Sequence, residues 1–232
     1  MTVTPPARSP RRRVPRNTLN PDRILDAAVA LLDRDGPEAF TMRALAQELG
    51  VGTMAVYSHF KGKEELNDAV NERLLGEIEI PPDAGAPREQ LIELCVGVYR
   101  LFSEHPAALQ LLASRPLRGD EALSVIDRML CLLRSAGLEP AAAAAGQVAL
   151  MQYTVGSAMW AVRRKRAECD AEVNLREKIR ERLAELPPES YPSLTGLAPE
   201  LSAAQDSGRA QYEAGLTALL AGLLNGPALP RT

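Results

Sequence analysis

Residues 41–60, TMRALAQELGVGTMAVYSHF, combine side chains that suit contacts with DNA. Thr53, Met54 and Ala55 are small or flexible, which lets a backbone approach a groove, and the Met54 and Ala55 side chains can contact a thymine methyl. The tyrosine, histidine and lysines that follow them suit phosphate contacts. The segment also predicts two short helices that meet at a tight turn centred on Gly50, which is the geometry of a helix-turn-helix.

In a helix-turn-helix, the first helix supports the second, whose N-terminal residues lie against base edges in the major groove. Thr41 begins a helix and offers its hydroxyl and nearby backbone N–H groups to a phosphate, and Arg43 can reach a base edge or a phosphate. The candidate DNA-binding residues are Thr41, Arg43, Thr53, Met54, Ala55, Tyr57, His59 and Lys63. Each of these residues, taken singly, has a simpler explanation. Tyr57 is explained by half-buried packing, His59 by a surface or capping role, and residues 61–63 by a solvated turn. The joint pattern favours DNA.

The elements that must position these residues are helices. Asn20-Pro21 is a good N-terminal cap, and apolar residues then recur at helical spacing until Gly36-Pro37 stops the helix. Thr41 caps a second helix that Gly50 ends. The third and fourth helices are expected at about 53–60 and 63–77.

The rest of the chain shows helical spacing and no strand alternation. Helices are expected over 87–103, 106–113, 120–136, 140–166, 168–186 and 207–224, and residues 187–206 as a loop with at most one helical turn. Proline and glycine in 81–87 indicate a hinge. The fold is therefore predicted to be all-α, with a disordered basic arm (1–19), a DNA-binding domain (20–78) and a second helical domain (87–226).

Composition excludes several classes of protein. The chain has 232 residues, 46% of them hydrophobic and 25% charged, as in an ordinary soluble protein. It has no apolar run of membrane-spanning length and no secretory signal pattern. Its three cysteines lie far apart and its two histidines join no catalytic set or metal cluster. We therefore expect a cytoplasmic protein that is not an enzyme and holds no metal or cofactor.

Charge is distributed unevenly along the chain. Residues 1–20 carry five arginines and no acid, so the remainder carries a net charge of −8 within a total of −3. A basic arm on an acidic body suits an anionic polymer, although a solubilising tail has the same composition. Residues 163–166 are four consecutive basic residues. A helix C-terminus that favours cations explains them better than a nucleic-acid patch.

A longer pattern runs through residues 20–76. It comprises Ile24-Leu25-Asp26-Ala27-Ala28, Leu31-Leu32, Gly36, Phe40-Thr41-Met42-Arg43, Leu45-Ala46, Leu49-Gly50-Val51, Val56-Tyr57, His59-Phe60, Lys63 and Leu66. In this pattern the chain resembles the DNA-binding domain of the tetracycline-repressor family of bacterial transcription regulators. The resemblance implies a dimer that binds a palindromic double-stranded operator and represses nearby genes, with the eight candidate residues facing DNA.

Beyond residue 87 the resemblance is to the tetracycline-repressor subgroup. It rests on Arg115-Pro116, on residues 153–156 (YTVG) in a long helix, and on glycines and leucines in 215–223. In that subgroup Mg²⁺–tetracycline binds in the helical core. The position of its metal-binding histidine is Leu111 here, and Gln152 and Trp160 stand where a histidine and an acid contact the drug or metal. Because Mg²⁺ needs oxygen or imidazole donors, we expect a different effector.

An apolar pocket with a few polar anchors is expected in its place. Arg115 can pair with an acidic ligand and Gln152 can orient a carbonyl, while methionine and tryptophan can stack on a ring. The candidate ligand-binding residues are Phe102, Leu111, Arg115, Met129, Met151, Gln152, Val155, Met159 and Trp160. The alternative is that the Met and Trp positions are ordinary core and that Arg115 is a cap or a surface pair.

Helices 140–166 and 207–224 predict the dimer interface, because their small residues allow close helix approach. Two subunits place two half-sites about 34–36 Å apart on the operator. The sequence therefore favours a homodimeric, ligand-responsive DNA-binding regulator, most simply a repressor that a small apolar or aromatic effector releases. The alternative is a helix-turn-helix regulator whose C-terminal domain only dimerises or binds a protein partner.

Overall fold

A computed structural model describes residues 19–82, 84–113, 119–169, 181–206 and 208–225. The basic arm (apart from Leu19), Arg115 and most of the expected helix 168–186 lie outside these ranges. Regular structure within them is helical. The helices are α1 (Pro21–Ala39), α2 (Met42–Glu48), α3 (Thr53–Tyr57), α4 (Lys63–Leu75), α5 (Pro87–Glu104), α6 (Pro106–Ala113), α7 (Asp120–Ser135), α8 (Pro140–Cys169), α9 (Pro192–Gly196), α10 (Ala198–Asp206) and α11 (Arg209–Asn225). None of the described helices is long and apolar enough to cross a bilayer.

Local signals set the ends of α1. The Asn20 side chain accepts the Arg23 backbone N–H at 2.8 Å, and Pro21 occupies the first turn, where its missing N–H costs nothing. Gly36 has φ +80°, a conformation that glycine adopts without penalty, and it interrupts the helix. The expected break at Gly36 is confirmed, and one further helical turn follows it to Ala39.

The first four helices share one apolar core. α1 packs on α2 and α4, and α2 packs on α3. Their largest fully buried side chains are Ile24, Leu32, Phe40, Leu45, Leu66 and Leu74. Burial of such side chains contributes about 1.5–3 kcal/mol each, so this core rather than helix propensity holds the short α2 and α3 in place.

The later helices form a second packed group. α5 lies against both α7 and α8, and α11 packs on α5 and α8. Leu91, Leu94, Met129, Leu133 and Leu150 are fully buried between them. The all-α, two-part architecture predicted from the sequence is confirmed.

The two groups contact each other directly. α6 packs against α1 and α4, and α7 packs against α4. Arg128 of α7 donates to the Pro82 carbonyl at 3.0 Å and to Gln90 Oε1 at 2.6 Å, and Gln90 donates to the Ala84 carbonyl at 2.8 Å. These bonds hold the predicted hinge against the second group.

The prediction of a loop over 187–206 is wrong, because α9 and α10 occupy much of it. Pro192 and Pro199 mark helix beginnings, where proline is favoured, rather than loop. Thr195 also donates to the Tyr191 carbonyl at 2.9 Å, which closes the short α9. The third and fourth helices end earlier than expected, at Tyr57 and Leu75.

Candidate DNA-binding surface and C-terminal core

α2 is held at both of its ends. Thr41 Oγ1 accepts the Ala44 N–H at 3.1 Å, so the Thr41 hydroxyl caps the helix. At the other end, Arg34 of α1 donates to both carboxylate oxygens of Glu48, at 3.0 and 3.1 Å. The Arg34 guanidinium lowers the pKa of Glu48 below its ordinary value. The forked pair fixes the direction in which α2 enters the turn.

The turn between α2 and α3 requires a glycine. Gly50 has φ +67°, in the left-handed region that favours glycine. The Val51 N–H then donates to the Ala46 carbonyl at 3.0 Å, which closes the turn. The turn redirects the chain so that α3 packs on α2.

α3 presents its first turn to solvent. Val56 is completely buried and anchors the helix, whereas Met54 is 78% exposed and Tyr57 43% exposed. Thr53 and Ala55 are half-buried. An exposed methionine next to a buried valine on so short a helix leaves the remaining side chains free to contact a partner.

The remaining candidate residues lie beside α3 in the chain. Thr41, Arg43, His59 and Lys63 are exposed. Lys63 Nζ lies 5.9 Å from the centroid of the Phe40 ring, which supports its long side chain. All eight predicted DNA-binding residues are therefore at least partly accessible, from the N-cap of α2 through α3 to the start of α4, with His59 between α3 and α4.

The candidate effector residues lie in different environments. Phe102, Leu111 and Met129 are buried, and Met151 and Val155 are half-buried. In contrast, Gln152, Met159 and Trp160 lie on the exposed side of α8, with Met159 56% and Trp160 69% accessible. The described residues of this set therefore differ in burial, and their role in effector binding stays a prediction.

A stack of three tyrosines, which are too far apart in the sequence to be predicted as a unit, joins α5, α8 and α11. The Tyr99 and Tyr212 rings stack at 4.2 Å between centroids, and Tyr153 stacks on Tyr212 at 5.6 Å. The Tyr212 hydroxyl donates to the Cys95 carbonyl at 2.9 Å and lies 3.0 Å from Thr154 Oγ1. The YTVG motif was the sequence signal for one side of this stack.

Burial dominates the chemistry of the tyrosine stack. It raises the pKa of the Cys95 thiol from about 9 to about 12, and it raises the pKa of Tyr212 as well. Both groups therefore stay protonated at neutral pH. This centre is a hydrogen-bonded core and contains no activated nucleophile.

The residues present do not fit a Mg²⁺–tetracycline site. Leu111, at the position expected for a metal-binding histidine, is a buried hydrocarbon, and Gln152 and Trp160 face solvent. A hard divalent cation requires several oxygen or imidazole donors directed at one point. The described side chains at these positions do not provide such a set.

A helix-turn-helix with an accessible second helix, mounted on a helical domain, defines a DNA-binding transcription regulator. The family model described as "Bacterial regulatory proteins, tetR family" matches residues 24–70, and "Tetracyclin repressor-like, C-terminal domain" matches residues 81–226. The chain therefore belongs to the tetR family of bacterial regulators, a ligand-responsive, DNA-binding class.

Individual relatives agree with this assignment. The HTH-type transcriptional repressor DrrR1 of Streptomyces coeruleorubidus is 35% identical over 67% of this chain. The match spans only 58% of the length of DrrR1. An HTH-type transcriptional regulator of Saccharopolyspora erythraea is 32% identical over 88% of this chain and 84% of its own. The crystal structure of the Streptomyces coelicolor protein ActR with actinorhodin has a TM-score of 0.77 at 32% identity, covering 90% of this chain and 97% of ActR.

Proposed function

We propose that this protein is a homodimeric repressor that binds a palindromic operator through α2, α3 and the start of α4. A small apolar or aromatic effector in the C-terminal domain releases it. The exposure of Met54 and Tyr57 on an α3 anchored by buried Val56 carries the proposal. A helix that must enter a groove needs this combination of a fixed axis and free side chains.

Each candidate DNA-binding residue receives a role from its position. Thr53, Met54 and Ala55 open α3 and contact base edges, whereas Tyr57, His59 and Lys63 contact phosphates. Thr41 uses its hydroxyl to cap α2, so it contributes the backbone N–H groups of the helix N-terminus to a phosphate. Arg43, exposed in the first turn of α2, reaches a phosphate or a base edge.

The homodimer is proposed to form through α8 and α11. Leu216 and Leu220 are completely buried against the protomer's own core, which leaves the opposite side of α11 accessible. That side carries the small residues Ala210, Ala214 and Thr217, all exposed. Small side chains allow a close approach of the partner's helices in a four-helix interface.

The effector site is proposed to lie in the C-terminal domain. The crystal structure of ActR, a protein of similar fold, in complex with actinorhodin supports a small-molecule effector for this chain as well. The candidate residues of this chain are mainly apolar, with Arg115 and Gln152 as polar anchors. The buried Leu111 argues for an effector that binds without a metal ion.

The contribution of Tyr57 to operator binding is tested by replacing it with alanine and comparing the result with the same replacement at another exposed tyrosine. Tyr57→Ala should raise the dissociation constant for operator DNA by a factor that corresponds to about 1–3 kcal/mol. Tyr191→Ala is the control, because Tyr191 is 46% exposed and lies in the C-terminal part of the chain. The measurement is fluorescence anisotropy with a duplex from the intergenic region upstream of its own gene, at fixed salt with competitor DNA. Equal affinities of the two variants would refute the role assigned to Tyr57.

Release by an effector is tested on the same DNA complex. A panel of apolar aromatic compounds without added metal should include one that dissociates the complex, whereas Mg²⁺–tetracycline should not. Release by Mg²⁺–tetracycline would contradict the proposal for the effector. Operator binding that no compound in a broad panel affects would favour a C-terminal domain that only dimerises or binds a protein partner.

A further inference from the structure

The last turn of α4 and the first turn of α7 are joined by a carboxylate. Gly119 is the N-cap of α7 and has no side chain with which to cap the helix. Glu72 of α4 supplies the missing acceptor, because its Oε2 accepts the Glu121 backbone N–H at 3.0 Å. A helix N-terminus leaves four N–H groups without helical partners, and a carboxylate there is favoured by both hydrogen bonding and the helix dipole.

The glycine at the N-cap of α7 makes this contact possible. A Cβ placed on Gly119 would overlap the Glu72 carboxylate, so only glycine leaves room for it. On the other side, the Glu121 carboxyl carbon lies 3.6 Å from where a Cβ on Gly76 would stand. The Glu121 side chain thus lies near Gly76 at an ordinary van der Waals distance, whereas the Glu72 carboxylate occupies the space that a side chain at residue 119 would need. The contact joins an element of the DNA-binding group to one of the C-terminal group.

The contact is opposed by charge. Asp120 and Glu121 already place two acids in the first turn of α7, so Glu72 is the third carboxylate at this helix end. Like charges weaken the attraction between Glu72 and the helix dipole. The hydrogen bond to the Glu121 N–H therefore forms despite this repulsion, at a place where α7 also packs on α4.

The helix α4 connects this contact to the DNA-binding surface. It begins at Lys63, beside α3, and its thirteen residues span about 20 Å. A second link between the groups, from His105 Nδ1 to Asp33 Oδ2 at 2.7 Å, involves α1 and does not depend on Glu72. Loss of the Glu72 bond therefore removes one fixed contact between α4 and α7, while the Arg73–Asp26 ion pair and the packing of α4 on α1 and α6 remain.

We propose that Glu72 is a positioning residue. By capping α7, it fixes α4 relative to the C-terminal domain and thereby sets the affinity of the dimer for its operator. The proposal deepens the proposed function and rests on it. A change at the start of α7 reaches α3 through α4, because the two positions are joined by this carboxylate.

The test compares four full-length variants with two controls. Glu72→Ala removes the acceptor, Glu72→Gln keeps one, and Gly119→Ala displaces the carboxylate without straining the backbone, since φ −81° and ψ 156° suit alanine. The fourth is the Glu72→Ala/Gly119→Ala double variant. Glu93→Ala and Gly196→Ala are controls, because Glu93 is exposed on α5 and a Cβ on Gly196 would meet open space.

Operator affinity is the first readout, with the upstream duplex described above. Glu72→Ala and Gly119→Ala should each weaken binding about tenfold, because fewer dimers then hold α4 in the binding position. Glu72→Gln and both controls should stay within about twofold of the unmodified protein. The double variant should bind no more weakly than Glu72→Ala alone, because Gly119→Ala has no carboxylate left to displace. A cap that only stabilises the fold would lower the free energy of unfolding in Glu72→Ala and leave the operator affinity of the folded dimer unchanged.

Amide hydrogen exchange of the dimer without DNA is the second readout. Exchange of the Glu121 amide and of α4 should become faster in Glu72→Ala and Gly119→Ala and remain unchanged in the controls. Additive affinity losses, or unchanged exchange in Glu72→Ala, would overturn the role of Glu72. If the unmodified dimer does not prefer the duplex over competitor DNA, the proposed operator function fails, and the exchange measurement still decides whether Glu72 fixes α4.

Discussion

At the scale of the residue, the lack of a side chain at Gly215 allows the tyrosine stack to form. A Cβ on Gly215 of α11 would overlap the Tyr153 hydroxyl, which instead donates to the Tyr212 carbonyl at 3.2 Å. The close approach lets the Tyr153 ring stack on Tyr212. Gly215 is therefore a packing residue, although glycine within a helix interior carries a conformational cost.

Gly215→Ala should lower the free energy of unfolding by about 1–3 kcal/mol, because the added methyl must displace the Tyr153 hydroxyl. Gly222→Ala on the same helix is the control, since its Cβ would meet open space. Helix propensity alone predicts that the control gains up to about 1 kcal/mol. The measurement is urea unfolding at one protein concentration. An equal gain in stability for the two variants would show that Tyr153 moves aside without cost.

At the scale of the element, local signals were readable in the sequence and distant ones were not. The caps Asn20 and Thr41 and the breaks at Gly36 and Gly50 depend on neighbours within a few residues, so residue type predicted them. The helix α10 was missed because Pro199 lies in its first turn, and proline alone does not distinguish a helix start from a loop.

The sites show the same division. The helix-turn-helix and its accessible residues were predicted as a unit because the motif is continuous in the chain. The tyrosine stack was not, since Tyr99, Tyr153 and Tyr212 are far apart in sequence and meet only when α5, α8 and α11 pack together. The contact of Glu72 with the start of α7 likewise depends on packing between the two helical groups.

The packing of α5, α8 and α11 predicts that the folded protein loses stability at alkaline pH. Burial raises the pKa of Cys95 to about 12, above its ordinary value of about 9, so the folded state holds the thiol proton more tightly than the unfolded chain. Stability from this group is complete below pH 9 and is lost as the pH rises from about 9 to 12. Cys95→Ala should reduce the slope of unfolding free energy against pH above 9 by up to about 1.4 kcal/mol per pH unit.

Cys131→Ala is the matched control for this slope, because Cys131 is exposed. Urea unfolding at several pH values between 8 and 10.5 measures both variants. Some slope should remain in Cys95→Ala, since the pKa of Tyr212 is also raised by burial. Parallel curves for Cys95→Ala and Cys131→Ala would contradict the assignment of the alkaline loss to the buried thiol.

At the scale of the whole molecule, charge separates the chain into a basic arm and an acidic body. The body carries −8 and includes the DNA-binding domain, so unlike a uniformly basic protein it gains little general attraction to DNA. We therefore expect specific binding to come from directed contacts by α2 and α3, and we expect the arginines of the arm to add non-specific attraction. The proposed homodimer carries two such arms, so both are expected to act on one operator.

Deletion of residues 1–16 removes all five arginines of the arm, and it should weaken operator binding and flatten its dependence on salt. Each phosphate that an arginine neutralises contributes about −0.9 to the slope of log K against log salt, so one arm contributes at most about 4.5. Deletion of residues 1–7, which contain no charged side chain, is the control. Anisotropy titrations of the upstream duplex at several salt concentrations measure both slopes. Because counterion release depends on contact and not on net charge at a distance, equal slopes for the two deletions would mean that the arm does not touch DNA and serves only to solubilise the chain.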